Sequence, residues 1–108
     1  MEVDNMKIVE DMKEFDSILA ENRSVFADFY ADWCGPCKMV GPVVEGLAAK
    51  YPEITFVKVN VDDNPELAAR YGVMSIPMMF AFKDGQPAAS TLGFQPEAAL
   101  ERIVLQAK

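Results

Sequence analysis

Two cysteines lie three positions apart in the stretch Asp32-Trp33-Cys34-Gly35-Pro36-Cys37-Lys38, and they are the only cysteines in the chain. The stretch follows an apolar run, Ser24 to Tyr30, that reads as a buried strand, and it opens an amphipathic segment, Lys38 to Tyr51, that reads as a helix. Residues three apart at a helix start sit about one turn apart on one face, close enough to be bridged. Unpaired N–H groups and the positive end of the helix dipole favour a thiolate at the first of the pair, Cys34. Gly35 lets the backbone turn and approach another molecule closely, and Pro36 has a φ preset for a first helical turn, where a missing N–H costs nothing. The chemistry this allows is thiol–disulfide exchange. Cys34 thiolate attacks a partner's disulfide, and Cys37 then attacks the Cys34 sulfur and releases the reduced partner. That requires one exposed, acidic thiol and one resolving thiol within bonding distance. The competing readings are a closed, inert disulfide, two buried free thiols, or a metal site. Zinc takes three or four protein ligands, so with no His and no further Cys it needs carboxylates or a second chain. Haem attachment fails because Lys38, not His, follows Cys37. No metal or other cofactor is expected.

The elements that must position this pair follow from periodicity and punctuation. Lys7-Ile8-Val9 is a short strand candidate, and Met12, Phe15, Ile18 and Leu19 recur at helical spacing behind Asp11. After the Cys pair, Met39, Val40, Val43, Val44, Leu47 and Ala48 line one side of a helix that Pro42 should kink. Ile54 to Val61 is a second buried strand. Asp62-Asp63-Asn64-Pro65 caps a short helix through Tyr71, which Gly72 ends. Met78 to Phe82 and Ala88 to Leu92 are strands joined by an Asp84-Gly85 hairpin turn, and Pro96 opens a last helix carrying Ala99, Leu100, Ile103 and Val104. The order β-α-β-α-β-α-β-β-α implies parallel pairing early and antiparallel pairing late, hence an α/β fold with a central mixed five-stranded sheet and helices on both faces.

Two charges interrupt the strands that should neighbour each other mid-sheet, Asp28 and Lys58. Burying either charge is costly, so each calls for a reason. The residues alone leave two readings level: side chains that reach solvent or pair as a structural ion pair, or functional groups near the cysteines.

Trp33-Cys34-Gly35-Pro36-Cys37-Lys38 resembles the active-site signature of the thioredoxin family. Asp28-Phe29, Pro42, Lys58 between Val57 and Val59, Ile76-Pro77 and Gly93 follow the family's order. The resemblance covers residues 7–108 and implies the thioredoxin fold and a protein-disulfide reductase activity. It implies that Asp28 handles protons for Cys37, directly or through a water, with Lys58 tuning its charge. It also implies a cis Ile76-Pro77 bond beside the cysteines, where an extended partner segment docks in strand-like fashion. The implied partners are disulfide-containing proteins and a flavoprotein thioredoxin reductase as electron donor. Gly-Pro between the cysteines resembles the reducing members rather than the oxidising relatives, which usually carry His there. A redox-silent subunit, binding partners around Trp33 with incidental cysteines, is the alternative from another class. Trp33, Gly35, Pro36, Met74, Ile76, Gly93 and Phe94 are expected to make an apolar rim around Cys34, against the reading that Met74 and Phe94 fold back into the core. Two positions depart from the familiar bacterial pattern: Tyr30 stands where a second Trp is usual, and Met78 follows the proline where Thr is common.

Composition narrows the class. A chain of 108 residues with 51% apolar content reads as a single domain, 1–108, with 1–6 as a loose lead-in. A net charge of −7 argues against an electrostatic nucleic-acid site. The start Met1-Glu2-Val3-Asp4-Asn5-Met6 has neither the basic nor the apolar part of a secretory signal, and no later run is long enough to span a membrane. Two cysteines without a disulfide framework suit a reducing compartment, so a soluble, cytoplasmic monomer is expected.

Overall fold

A computed structural model describes residues 6–108. The elements run β1 (Met6–Ile8), α1 (Met12–Glu21), β2 (Ser24–Tyr30), α2 (Gly35–Lys50), β3 (Thr55–Asn60), α3 (Pro65–Arg70), β4 (Met78–Lys83), β5 (Gln86–Leu92) and α4 (Glu97–Val104), closed by a 3-10 turn at Leu105–Ala107. The five strands form one sheet in the order β1-β3-β2-β4-β5. β1, β3 and β2 are parallel, while β4 and β5 pair antiparallel to the strand before them. This is the mixed, helix-covered sheet that the element order requires.

β2 lies at the centre because its sequence tolerates cover on both faces. Val25 to Phe29 are all buried, and alternate residues go to opposite layers. Val25, Ala27 and Phe29 pack with Phe15 of α1, Leu67 of α3, and Phe80 and Phe82 of β4. Phe26 goes the other way, into a layer with Val40, Val44 and Leu47 of α2 and Leu100 and Val104 of α4. The same alternation puts Asp28 on the α2 face with Phe26, and Lys58 there with Phe56.

Element boundaries depart from the sequence reading where local chemistry outweighs hydrophobic pattern. Met6 is buried and pairs with Phe56, so it belongs to β1 rather than to a lead-in; positions 1–5 lie outside the described residues. α2 begins at Gly35, not Lys38, because Gly35 and Pro36 themselves form its first turn. The helix continues past Pro42 to Lys50. Met39 does not join the apolar side of α2: it is 65% exposed while Val40 and Val44 are fully buried. Asn64 occupies the N-cap position of α3 without a side-chain cap; its amide instead donates to the Asn60 carbonyl at 3.2 Å. β5 starts two residues early, and its Pro87 is tolerated because β5 is an edge strand. Asp84 and Gly85 both have positive φ, 53° and 82°, the backbone a tight two-residue hairpin needs. Among the described residues no helix is long and apolar enough to cross a membrane.

Candidate active site

The cysteine pair sits where β2 hands over to α2, at the carboxyl end of the central strand. Cys34 is the N-cap of α2, with extended backbone, and Cys37 lies in the first turn. A disulfide joins them, with their Cα atoms 5.3 Å apart. The Cys37 N–H donates to Cys34 Sγ at 3.2 Å, so the first sulfur occupies the place where a capping oxygen would satisfy a free N–H. A negative charge developing on that sulfur meets the same N–H and the positive end of a 16-residue helix. Cys37 has no such seat. The asymmetry expected of the two thiols is therefore electrostatic.

Exposure does not supply it. Cys34 retains 4% of its surface and Cys37 7%, against the expectation of one exposed thiol. The two form a small cluster with Ala31, and Tyr30, Val61 and Ile76 pack against it.

The Ile76-Pro77 bond is cis. Cys34 Sγ lies 3.9 Å from the Ile76 carbonyl oxygen, so the loop before β4 comes directly against the attacking position. Gly93, with φ of 86°, donates its N–H to the Pro77 carbonyl at 2.7 Å and ties the end of β5 to this loop. Trp33, Met74 and Ile76 line one groove of about 380 Å³ together with Val61, Val73 and Ser75. Trp33 is 70% exposed and Met74 95%, so neither folds back into the core. The Trp33 indole N–H donates to Asp62 at 2.8 Å, which fixes the ring as one wall. Gly35 and Pro36 are exposed on the first turn of α2. Phe94 is exposed beside Gly93 but is not a wall of the groove. Met78 is half-buried and packs toward the α1 and α3 layer.

Asp28 and Lys58 are direct neighbours in register on β2 and β3. They line a second cleft, of about 460 Å³, with Tyr30, Asp32, Lys38, Glu45 and Cys37. This cleft reaches the resolving cysteine from behind. Asp28 is 2% exposed and its Oδ1 has no hydrogen-bond partner among the described residues. Loss of water pushes its pKa from 3.8 up to about 6, with the Lys58 charge opposing the rise only in part. The reading of solvent-reaching or ion-paired side chains does not hold. Asp28 does not reach solvent, and Lys58 is not its contact partner: the ammonium lies 4.6 Å from the centre of the Tyr30 ring.

Reasoning from sequence overlooked Val61, Val73 and Ser75 as groove walls, Asp62 as the anchor of Trp33, and Asn60 behind Tyr30. Asp62 reads as a helix cap because it precedes Pro65. Asn60 was open to detection, since it stands two residues beyond Lys58 on the same face of one strand. The groove walls come from three separate segments, after β2, after β3 and before β4, and no spacing rule links them.

Residues 6–106 match the Thioredoxin family model. The chain is 49% identical to a thioredoxin of Staphylococcus aureus over 92 residues, which are 84% of this chain and 88% of that one. Its fold is similar to that of Plasmodium falciparum thioredoxin, with a TM-score of 0.89 and 35% identity over 95% of this chain and 100% of the other. It is also similar to the oxidised form of mitochondrial thioredoxin 3 from Saccharomyces cerevisiae, with a TM-score of 0.84 and 36% identity over 91% and 92% of the two chains.

Proposed function

The chain belongs to the thioredoxin family of disulfide oxidoreductases, and from that premise we propose how its residues divide the work of a general protein-disulfide reductase. One observation carries the assignment: the sulfur of Cys34, and not that of Cys37, caps the N-terminus of α2. In the reduced protein the Cys34 thiolate attacks one sulfur of a substrate disulfide. A bond forms from Cys34 to that sulfur, and the other substrate sulfur leaves as a thiolate. The Cys37 thiol then gives its proton to the Asp28 carboxylate across the shared cleft, directly or through a water. Its sulfur attacks Cys34 Sγ, the mixed disulfide breaks, and the substrate's second sulfur leaves reduced. Two electrons have passed to the substrate and the Cys34–Cys37 bridge is closed. A carboxyl with a pKa of about 6 is mostly ionised at neutral pH yet still basic enough to accept a proton.

The groove beside Cys34 supports docking of an extended, apolar partner segment against the Ile76-Pro77 loop, with Trp33 and Met74 as contact surface. Gly35, Pro36, Gly93 and Phe94 border that surface. Lys58 tunes the charge of Asp28. The donor that restores the dithiol is a thioredoxin reductase, making the protein an electron carrier, and it works as a cytoplasmic monomer formed by one domain.

The test is insulin reduction coupled to NADPH oxidation through a thioredoxin reductase. Turnover that depends on the chain supports the reading, and none with the fully reduced protein overturns it. Met74→Ser is expected to raise KM for insulin roughly three- to tenfold, since losing about 1 kcal/mol of apolar contact weakens binding to that extent. Steady-state kinetics showing an unchanged KM would remove Met74 from the docking surface.

A further inference from the structure

Lys58 is placed to pair with Asp28 and does not. The two are neighbours in register, both on the α2 face, yet the Asp28 Oδ1 is unpartnered and the Lys58 Nζ stands 4.6 Å over the Tyr30 ring. Tyr30 lies two residues beyond Asp28 on the same strand and therefore on the same face. Its own neighbour in register on β3 is Asn60. Asn60 is fixed in turn, because its Oδ1 accepts from the Asp62 N–H at 2.9 Å and from the Asp63 N–H at 3.4 Å. Tyr30 is thus flanked on β3 by Asn60, which is bound to the turn after that strand, while its ring carries the ammonium of Lys58.

We propose that Tyr30 is a positioning residue for the proton transfer: its ring holds the Lys58 ammonium off the Asp28 carboxylate and so keeps an oxygen of Asp28 free for the proton of Cys37. This rests on the reading of Asp28 as proton acceptor. A buried carboxylate and an ammonium on neighbouring strands close to an ion pair unless something else holds the cation, and an aromatic face does so without neutralising it. Other groups also face Asp28. Lys38 and Glu45 reach the cleft from α2, Asp32 follows β2, Met79 opposite on β4 is neutral, and Cys37 does not titrate while bridged. None of these holds Lys58, whereas the ring of Tyr30 does.

The test follows the Asp28 side-chain carbonyl carbon by NMR across pH in the oxidised full chain, for the parent, Tyr30→Leu and Tyr30→Phe. Removing the ring releases Lys58 toward Asp28, so Tyr30→Leu should lower the Asp28 midpoint by about one pH unit or more. Tyr30→Phe keeps the ring and should stay within about 0.3 of the parent, on the same reasoning. In a Lys58→Met background, Tyr30→Leu should no longer move the midpoint. An unchanged or higher midpoint in Tyr30→Leu overturns the proposal, and so does an equal fall in Tyr30→Phe, which would assign the effect to the hydroxyl. If Tyr30→Leu does not fold, the parent alone decides. The ε-methylene protons of Lys58 must be shifted upfield by the ring current, and ordinary lysine shifts refute the contact. These readings need no substrate. Full insulin reduction by Asp28→Ala would remove the proton-acceptor role while leaving the effect of Tyr30 on the midpoint standing.

Discussion

Cys34→Ser is expected to lower insulin reduction by about a thousandfold or more, because a serine hydroxyl cannot attack a disulfide at neutral pH. Cys37→Ser is expected to lose steady-state turnover to a similar extent for a different reason. It completes the first attack and stops, so it should accumulate mixed disulfides with protein substrates, visible on non-reducing gels and released by dithiothreitol. The direction comes from the helix cap. Only Cys34 Sγ receives the Cys37 N–H and faces the Ile76 carbonyl loop, while Cys37 borders the Asp28 cleft. Alkylation of the reduced protein should follow the same order, with Cys34 modified well before Cys37 near neutral pH. The near-equal burial of the two residues makes this a sharp test, since accessibility of the oxidised form predicts no preference at all. Trapping by Cys34→Ser instead, or equal alkylation rates, would reverse the roles.

Asp28→Ala is expected to stabilise the oxidised protein at neutral pH while slowing reduction of substrates. Burial raises the folded-state pKa to about 6 from an ordinary value of 3.8. The native state therefore holds the proton to higher pH than the unfolded chain does, and linkage fixes the sign. Below about pH 3.8 the carboxyl is protonated in both states and costs nothing through ionisation. Between 3.8 and about 6 a penalty builds, and above 6 it is constant. At about 1.4 kcal/mol per pH unit the full penalty is about 3 kcal/mol. Alanine removes it but leaves a small void, so a net gain of ~1–2 kcal/mol is expected at pH 7–8, shrinking to nothing or reversing near pH 4. Urea titrations of parent and variant at four pH values would measure it. Asp28→Asn separates charge from volume and should recover part of the gain, limited by the unpaired amide it buries. An Asp28→Ala variant less stable than the parent at pH 7 would make Asp28 a structural partner of Lys58 and sink its role as a proton acceptor held at the expense of stability.

The sequence by itself determined more of the chemistry than of the surface around it. The Cys-Gly-Pro-Cys stretch points to its reaction because two of the requirements are local: one helical turn sets the sulfur spacing, and a proline and a glycine shape that turn. The mixed pairing of the sheet was legible for a similar reason, since a nearly continuous apolar strand is covered on both faces and helical crossovers must be parallel. Asp28 and Lys58 stood out as charges in buried strands, and alternation alone puts them on the α2 face once the two strands are paired.

Tertiary structure decided the rest. Whether Lys58 meets Asp28 or the ring of Tyr30 depends on side-chain directions that a strand pattern leaves free, and the structure chose the ring. Met39 and Val40 are adjacent apolar residues with opposite fates, because the rotation of α2 about its axis sets which one meets the sheet. The burial of Cys34 and the groove beside it arise from loops 42 residues apart in sequence. Such contacts are fixed by how β4 packs beside β2, and pairing at that separation leaves no periodic trace along the chain.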